Sequence, residues 1–190
     1  MTDLPQDPAL AAAVLEIEGH VAELGWDQPS RLYALVDTAE LIRQEPALAS
    51  VMGIDDDSNE GSLTPVEQES LPTTQTLEAV LETILWPEGV AGCAAVVERL
   101  VLPPEVDDQI PADPAEAEAF ARDHPLRQEV RMVAGATRAG ASYCALRLRA
   151  HDDDTSVVDG TDLVPGLLAL LHQTLDSAMP EDANTEENRA

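Results

Sequence analysis

Apolar positions recur along this chain at two spacings, and the change from one to the other marks its elements. Leu10, Val14, Ile17, Val21 and Leu24 follow a helical period. Asp7 stands where a cap is needed, Pro8 suits a first helical position, and Gly25 closes the segment. Arg31–Val36 is short and apolar, and reads as a strand. Asp37 and Thr38 then start a short helix over Ala39–Glu45, and Ala47–Met52 adds a further turn. Thr64-Pro65-Val66-Glu67 has the form of a capping box and predicts a short helix. Leu77, Val80, Leu81, Ile84 and Leu85 mark one helical face.

Val90–Leu102 is apolar almost throughout and predicts a central strand, with a helix as its rival because of Ala91, Ala94 and Ala95. Asp113-Pro114 with Glu116 opens a helix that ends near His124-Pro125. Glu129–Thr137 and Ser142–Arg149 alternate around Arg138-Ala139-Gly140-Ala141, the pattern of a β-hairpin. Thr155–Asp159 reads as a short third strand. A last helix follows, striped by Leu163, Leu167, Leu170, Leu171 and Leu175 and widened by Val164 and Leu168. Because strands come as a hairpin with neighbours and not in strict alternation with helices, the pattern predicts an α+β fold. Its antiparallel sheet carries the C-terminal-half hairpin, with helices packed mainly on one face. A single domain over residues 7–178 is expected, with an acidic connection at 54–75 and disordered ends at 1–6 and 179–190.

Charge changes this picture. The 190 residues carry a net charge of −27, and all ten basic side chains are arginine. Such a surface repels nucleic acid and anionic membranes. The acidic N-terminal stretch has no basic leader region, and the apolar runs are short, so a cytoplasmic protein is expected. Cys93 and Cys144 sit in apolar runs and read as buried small hydrophobes.

The charge is also uneven. Residues 127–150 hold five arginines and one acid, a local +4 against −31 for the remainder. With a two-residue Ala139-Gly140 loop, Arg147 and Arg149 share a face with Tyr143, opposite Met132 and Val130, while Arg131 falls on the other face. A longer loop changes that register. Arginines two apart on a strand can grip a carboxylate- or phosphate-bearing partner, so Arg131, Tyr143, Arg147 and Arg149 are the candidate binding residues. The competing account is that these guanidinium groups neutralise the chain's own helices or its Asp152–Asp154 turn, which self-repulsion favours.

Other chemistry is sparse. Asp56, Ser58, Glu60 and Glu67, with Gly61 at the sixth position, approach a calcium-loop spacing. Pro65 inside the loop and the capping role of Glu67 favour a solvated acidic loop instead. His20, His124, His151 and His172 lack metal-ligand spacing, although His151 lies beside two aspartates, and the serines lack a nucleophile-elbow setting. No cofactor is implied.

The phrases GWDQPSRLYALVDTAEL (25–41), LTPVEQE (63–69), WPEGVAGCAAVVERLVLPP (86–104), RQEVRMVAGATRAGASYCALRLR (127–149) and DLVPGLL (162–168) resemble an uncharacterised family of small acidic cytoplasmic proteins from actinobacteria. The resemblance implies a bacterial single-domain protein and no transferable activity. The expected function is a non-enzymatic protein-interaction or adaptor module. Its arginine-bearing hairpin would meet a protein with an acidic or carboxylate-bearing surface. The alternative is an enzyme or small-anion-binding protein using the same arginines as an anion clamp. A third reading has the acidic surface mimic nucleic acid and occupy a basic partner.

Overall fold

The computed structural model describes residues 6–54, 61–68, 71 and 74–176. Its helices are α1 (Pro8–Glu23), α2 (Thr38–Gln44), α3 (Pro46–Val51), α4 (Leu77–Leu81), α5 (Pro114–Asp123) and α6 (Pro165–Asp176). Its strands are β1 (Arg31–Asp37), β2 (Leu63–Glu67), β3 (Val90–Val101), β4 (Gln128–Thr137), β5 (Ser142–Leu148) and β6 (Val158–Gly160). They form one sheet in the order β2-β1-β3-β4-β5-β6, with every neighbouring pair antiparallel. The fold is therefore α+β. No helix among the described residues is long and apolar enough to cross a membrane.

Alternation along the strands explains where the helices sit. Tyr33, Leu35, Ala94, Val96, Val133 and Ala145 pack with Leu10, Val14, Ile17 and Val21 of α1. Leu32, Ala34, Cys93, Ala95, Ala134 and Cys144 point the other way, to Leu81 of α4, Trp86, and Leu168, Leu171 and Leu175 of α6. Helices thus cover both faces, which corrects the expectation of packing mainly on one. The reason is legible in β3, whose Cys93–Val97 run is apolar at every position and so needs cover on both sides. The helix α1 crosses close above Gly135. A Cβ there would lie 2.7 Å from Val14 Cγ2 and 3.0 Å from Leu10 Cδ1.

Two local expectations fail for long-range reasons. Thr64–Glu67 is not a helix start but part of edge strand β2, paired with β1 from Tyr33↔Glu67 to Asp37↔Leu63. The Thr64 hydroxyl meets the Thr38 hydroxyl at 2.8 Å in a buried pair, so it does not cap its own segment. Pro65 is tolerated because the strand lies at the sheet edge. The α6 stripe is centred on Leu168, Leu171 and Leu175, and Leu163 lies outside the helix, 37% exposed. Residues 1–5, 55–60, 69–70, 72–73 and 177–190 lie outside the described part, and with them most of the expected disordered ends and part of the acidic connection at 54–75.

Candidate functional site

The hairpin turn decides where the arginines go. Strands β4 and β5 pair Ala136↔Ser142 and Arg131↔Arg147. The link is three residues long: the Gly140 N–H bonds to Thr137 O, and the Thr137 N–H to Ala141 O, both at 3.0 Å. Gly140 has φ +91°, the left-handed conformation such loops need and glycine adopts readily. One residue more than a two-residue loop shifts the register by one. Arg131 is therefore not on the opposite face; it lies directly across from Arg147, on the α1 side of the sheet with Tyr143.

Two cations in opposed positions repel each other unless carboxylates come between. Two elements supply them. Glu98, the β3 neighbour of Arg131, accepts from its Nε at 3.2 Å and its Nη2 at 2.9 Å. Arg131 also donates to Gly25 O, and its guanidinium lies 4.4 Å from the Trp26 ring centroid. Glu18 of α1 grips Arg147 through both oxygens, at 2.5 and 3.0 Å. Asp154 at 2.8 Å and Asp152 at 3.2 Å complete the Arg147 shell. Asp152 also accepts from the Trp26 indole N–H at 2.9 Å.

Arg149 follows β5 and lies 5.7 Å from the same indole ring. It holds Asp27 by two 3.0 Å bonds and also bonds Glu129. Asp27 adopts φ +64°, rare for a residue with a Cβ, and its N–H is fixed by Glu98 Oε2 at 2.8 Å. Tyr143 donates its hydroxyl to Asp159. Burial first, and then that carboxylate, push its phenol up to about 12. The carboxylate bonds hold Arg147 and Arg149 even more firmly protonated than free arginine.

The three expected arginines thus come together around Trp26 and its carboxylates, largely inward, while Tyr143 lies further along β5 and bonds Asp159. The side chain of Arg131 is fully buried, that of Arg147 is 3% exposed and Tyr143 is buried. Only Arg149 is half-exposed. Three guanidinium groups meet six carboxylates (Glu18, Asp27, Glu98, Glu129, Asp152 and Asp154), so the outward sign of the cluster is negative. A groove of about 540 Å³ opens beside it, between Leu15, Gly19 and Ala22 of α1 and Val157.

A family model described as PPA1309-like protein matches residues 10–176. The chain belongs to the PPA1309-like protein family. The match begins inside α1, runs to the end of α6 and spans the whole arginine cluster. An uncharacterised family is what the quoted phrases suggested. No curated protein and no solved structure gives a significant match.

The remaining candidates divide plainly. Asp56, Ser58 and Glu60 lie outside the described residues, and Glu67 sits on β2 with its carboxylate paired to Arg31. Among the described residues no three His, Cys, Asp or Glu side chains are grouped to hold a metal. Cys93 is buried 3.6 Å from the Thr174 hydroxyl, and burial pushes its thiol up to about 11, which makes it a poor nucleophile. Cys144 is likewise buried and raised. His172 Nε2 meets Ser142 Oγ at 2.8 Å, and His124 lies tilted against the Phe120 ring.

Sequence reasoning missed Glu18, Trp26, Asp27 and Glu98. One signal was available for Glu18. It sits four residues after Val14 and three before Val21, on the helical stripe that faces the sheet, where an acid needs a buried cation.

Proposed function

We propose that this PPA1309-like protein is a non-enzymatic docking module of the actinobacterial cytoplasm that presents carboxylates to a basic partner. The observation that supports this reading is the occupation of the arginines. All nine within the described residues bond inside the chain. Arg31, Arg43, Arg99, Arg122, Arg131, Arg147 and Arg149 pair with carboxylates. Arg138 donates to the carbonyls of Val90, Trp86, Pro87 and Leu175, and Arg127 to His124 O. The hairpin's positive charge is absorbed internally, and what a net charge of −27 leaves for a partner to meet is carboxylate. The hairpin then serves as the scaffold of the module, and the contact moves from its cations to the acids around it. Complementary charge of this size gives fast, salt-sensitive association.

Affinity purification from an actinobacterial lysate, followed by reconstitution with the purified partner, tests the reading. A basic partner is expected, bound with an affinity that falls steeply between 50 and 300 mM salt. Arg149→Gln/Asp27→Asn should leave that affinity unchanged. An acidic partner lost with the Arg149 variant would return the contact to the hairpin.

A further inference from the structure

We infer that the groove along α5 is the place where this module grips its partner, and that the occupant is a basic segment carrying an apolar anchor. The inference rests on the docking reading above and gives it an address. The helix α5 is well started, with Asp113 accepting from the Ala115 and Glu116 N–H groups and Pro114 in the first turn, yet it buries none of its residues. The chain's single phenylalanine, Phe120, is placed here and not in either core. Its ring lies tilted against that of His124, with centroids 5.1 Å apart. Together with Pro111, Ala119 and Pro125 it lines a shallow, largely apolar groove of about 540 Å³. Ile110 and Leu126, the chain neighbours of the two lining prolines, are 38% and 55% exposed. Scattered exposed hydrophobes are ordinary on a surface, but Pro111, Ala119, Phe120 and Pro125 lining one concavity together are not.

Charge selects the occupant. Glu116 and Asp123 stand on the groove wall. The surrounding segment, residues 104–126, holds seven acids and one arginine. The chain's own C-terminal stretch, residues 177–190, carries four acids and one arginine and is repelled. A second copy brings another −27 and is repelled as well. A segment with lysine or arginine flanking a leucine or aromatic side chain satisfies both features. The apolar anchor fills the groove beside Phe120 while its cations meet Glu116, Asp123 and the nearby aspartates.

The test uses a random twelve-residue peptide library displayed on phage, selected in parallel against wild type, Ala119→Arg, Phe120→Ala and the remote control Glu16→Arg. Circular dichroism melts confirm that each variant folds; arginine suits an exposed helical position such as 119. Wild type and the control are expected to enrich peptides with an apolar residue between basic ones. Recovered peptides should bind Ala119→Arg and Phe120→Ala about tenfold or more weakly. Enriched basic peptides that bind all four proteins alike would overturn the groove while leaving the anionic docking reading intact. Enrichment of acidic peptides, or none above a bare support, would overturn both.

Discussion

The Glu18–Arg147 pair offers the sharpest check on the internal-clasp reading. Both side chains are nearly removed from solvent, at 5% and 3% exposure, and they meet through two charge-assisted bonds. Arg147→Met keeps the length of the stem and removes the cation. It leaves the Glu18 carboxylate buried between α1 and the sheet with nothing to neutralise it, a change that costs about 3–5 kcal/mol. For a domain of this size that lowers Tm by roughly 6–20 °C. Asp152 and Asp154 also lose a partner, but at 43% and 92% exposure they return to water, and their share is small. Adding Glu18→Met removes the stranded charge and fills the site with apolar surface. The double variant should return to within about 1–2 kcal/mol of wild type, because buried pairs replaced by packed hydrophobes are often close to neutral. Urea denaturation of the four proteins closes the cycle, and fluorescence in a Trp86→Phe background isolates Trp26, which bonds Asp152. The reasoning fails if Arg147→Met moves stability by less than about 1 kcal/mol, or if adding Glu18→Met restores none of the loss.

Four further outcomes are expected. Gly19→Ala should stabilise the protein by about 1 kcal/mol in urea titration, because Gly19 lies inside α1 with open space where a Cβ would be. Gly92→Ala should destabilise it by about 3 kcal/mol or more, since that Cβ would lie 2.4 Å from the Ala136 carbonyl oxygen of the next strand. Stability should fall as pH rises from about 9 to 12. Tyr33 and Tyr143 are pushed up to about 12, chiefly by burial, and Cys93 to about 11. The folded chain keeps these protons after the unfolded chain has released them, so the unfolded state binds fewer; a urea midpoint at pH 11 equal to that at pH 8 would contradict this. Arg138→Met should cost about 2–3 kcal/mol by thermal melt, because that guanidinium ties the hairpin turn to four backbone carbonyls near Trp86 and the end of α6.

The helices show how far local chemistry carries. Asp7 with Pro8, Asp37 before Thr38, Thr76 before Leu77, and Asp113 with Pro114 all cap where they stand. A cap is a bond between residues three or fewer apart, so it is written in adjacent letters. The strands of the hairpin and the apolar β3 are legible for the same reason, because alternation and its absence are local patterns. Thr64–Glu67 marks the limit. Its letters satisfy a helix cap, but Thr64 bonds Thr38 and Glu67 bonds Arg31, and both partners belong to another part of the chain.

From the sequence alone came the α+β class, the acidic body, and the concentration of arginine on one hairpin, since each depends on composition or on neighbours along the chain. Only the folded structure decided what those arginines do. Glu18 and Arg147 are 129 positions apart, and they meet because α1 lies across β4 and β5. One added residue in the turn placed Arg131 beside that pair. Electrostatic attraction acts through space and strengthens where water is excluded, so the sign that a hairpin shows to a partner depends on which carboxylates the fold has already brought to it.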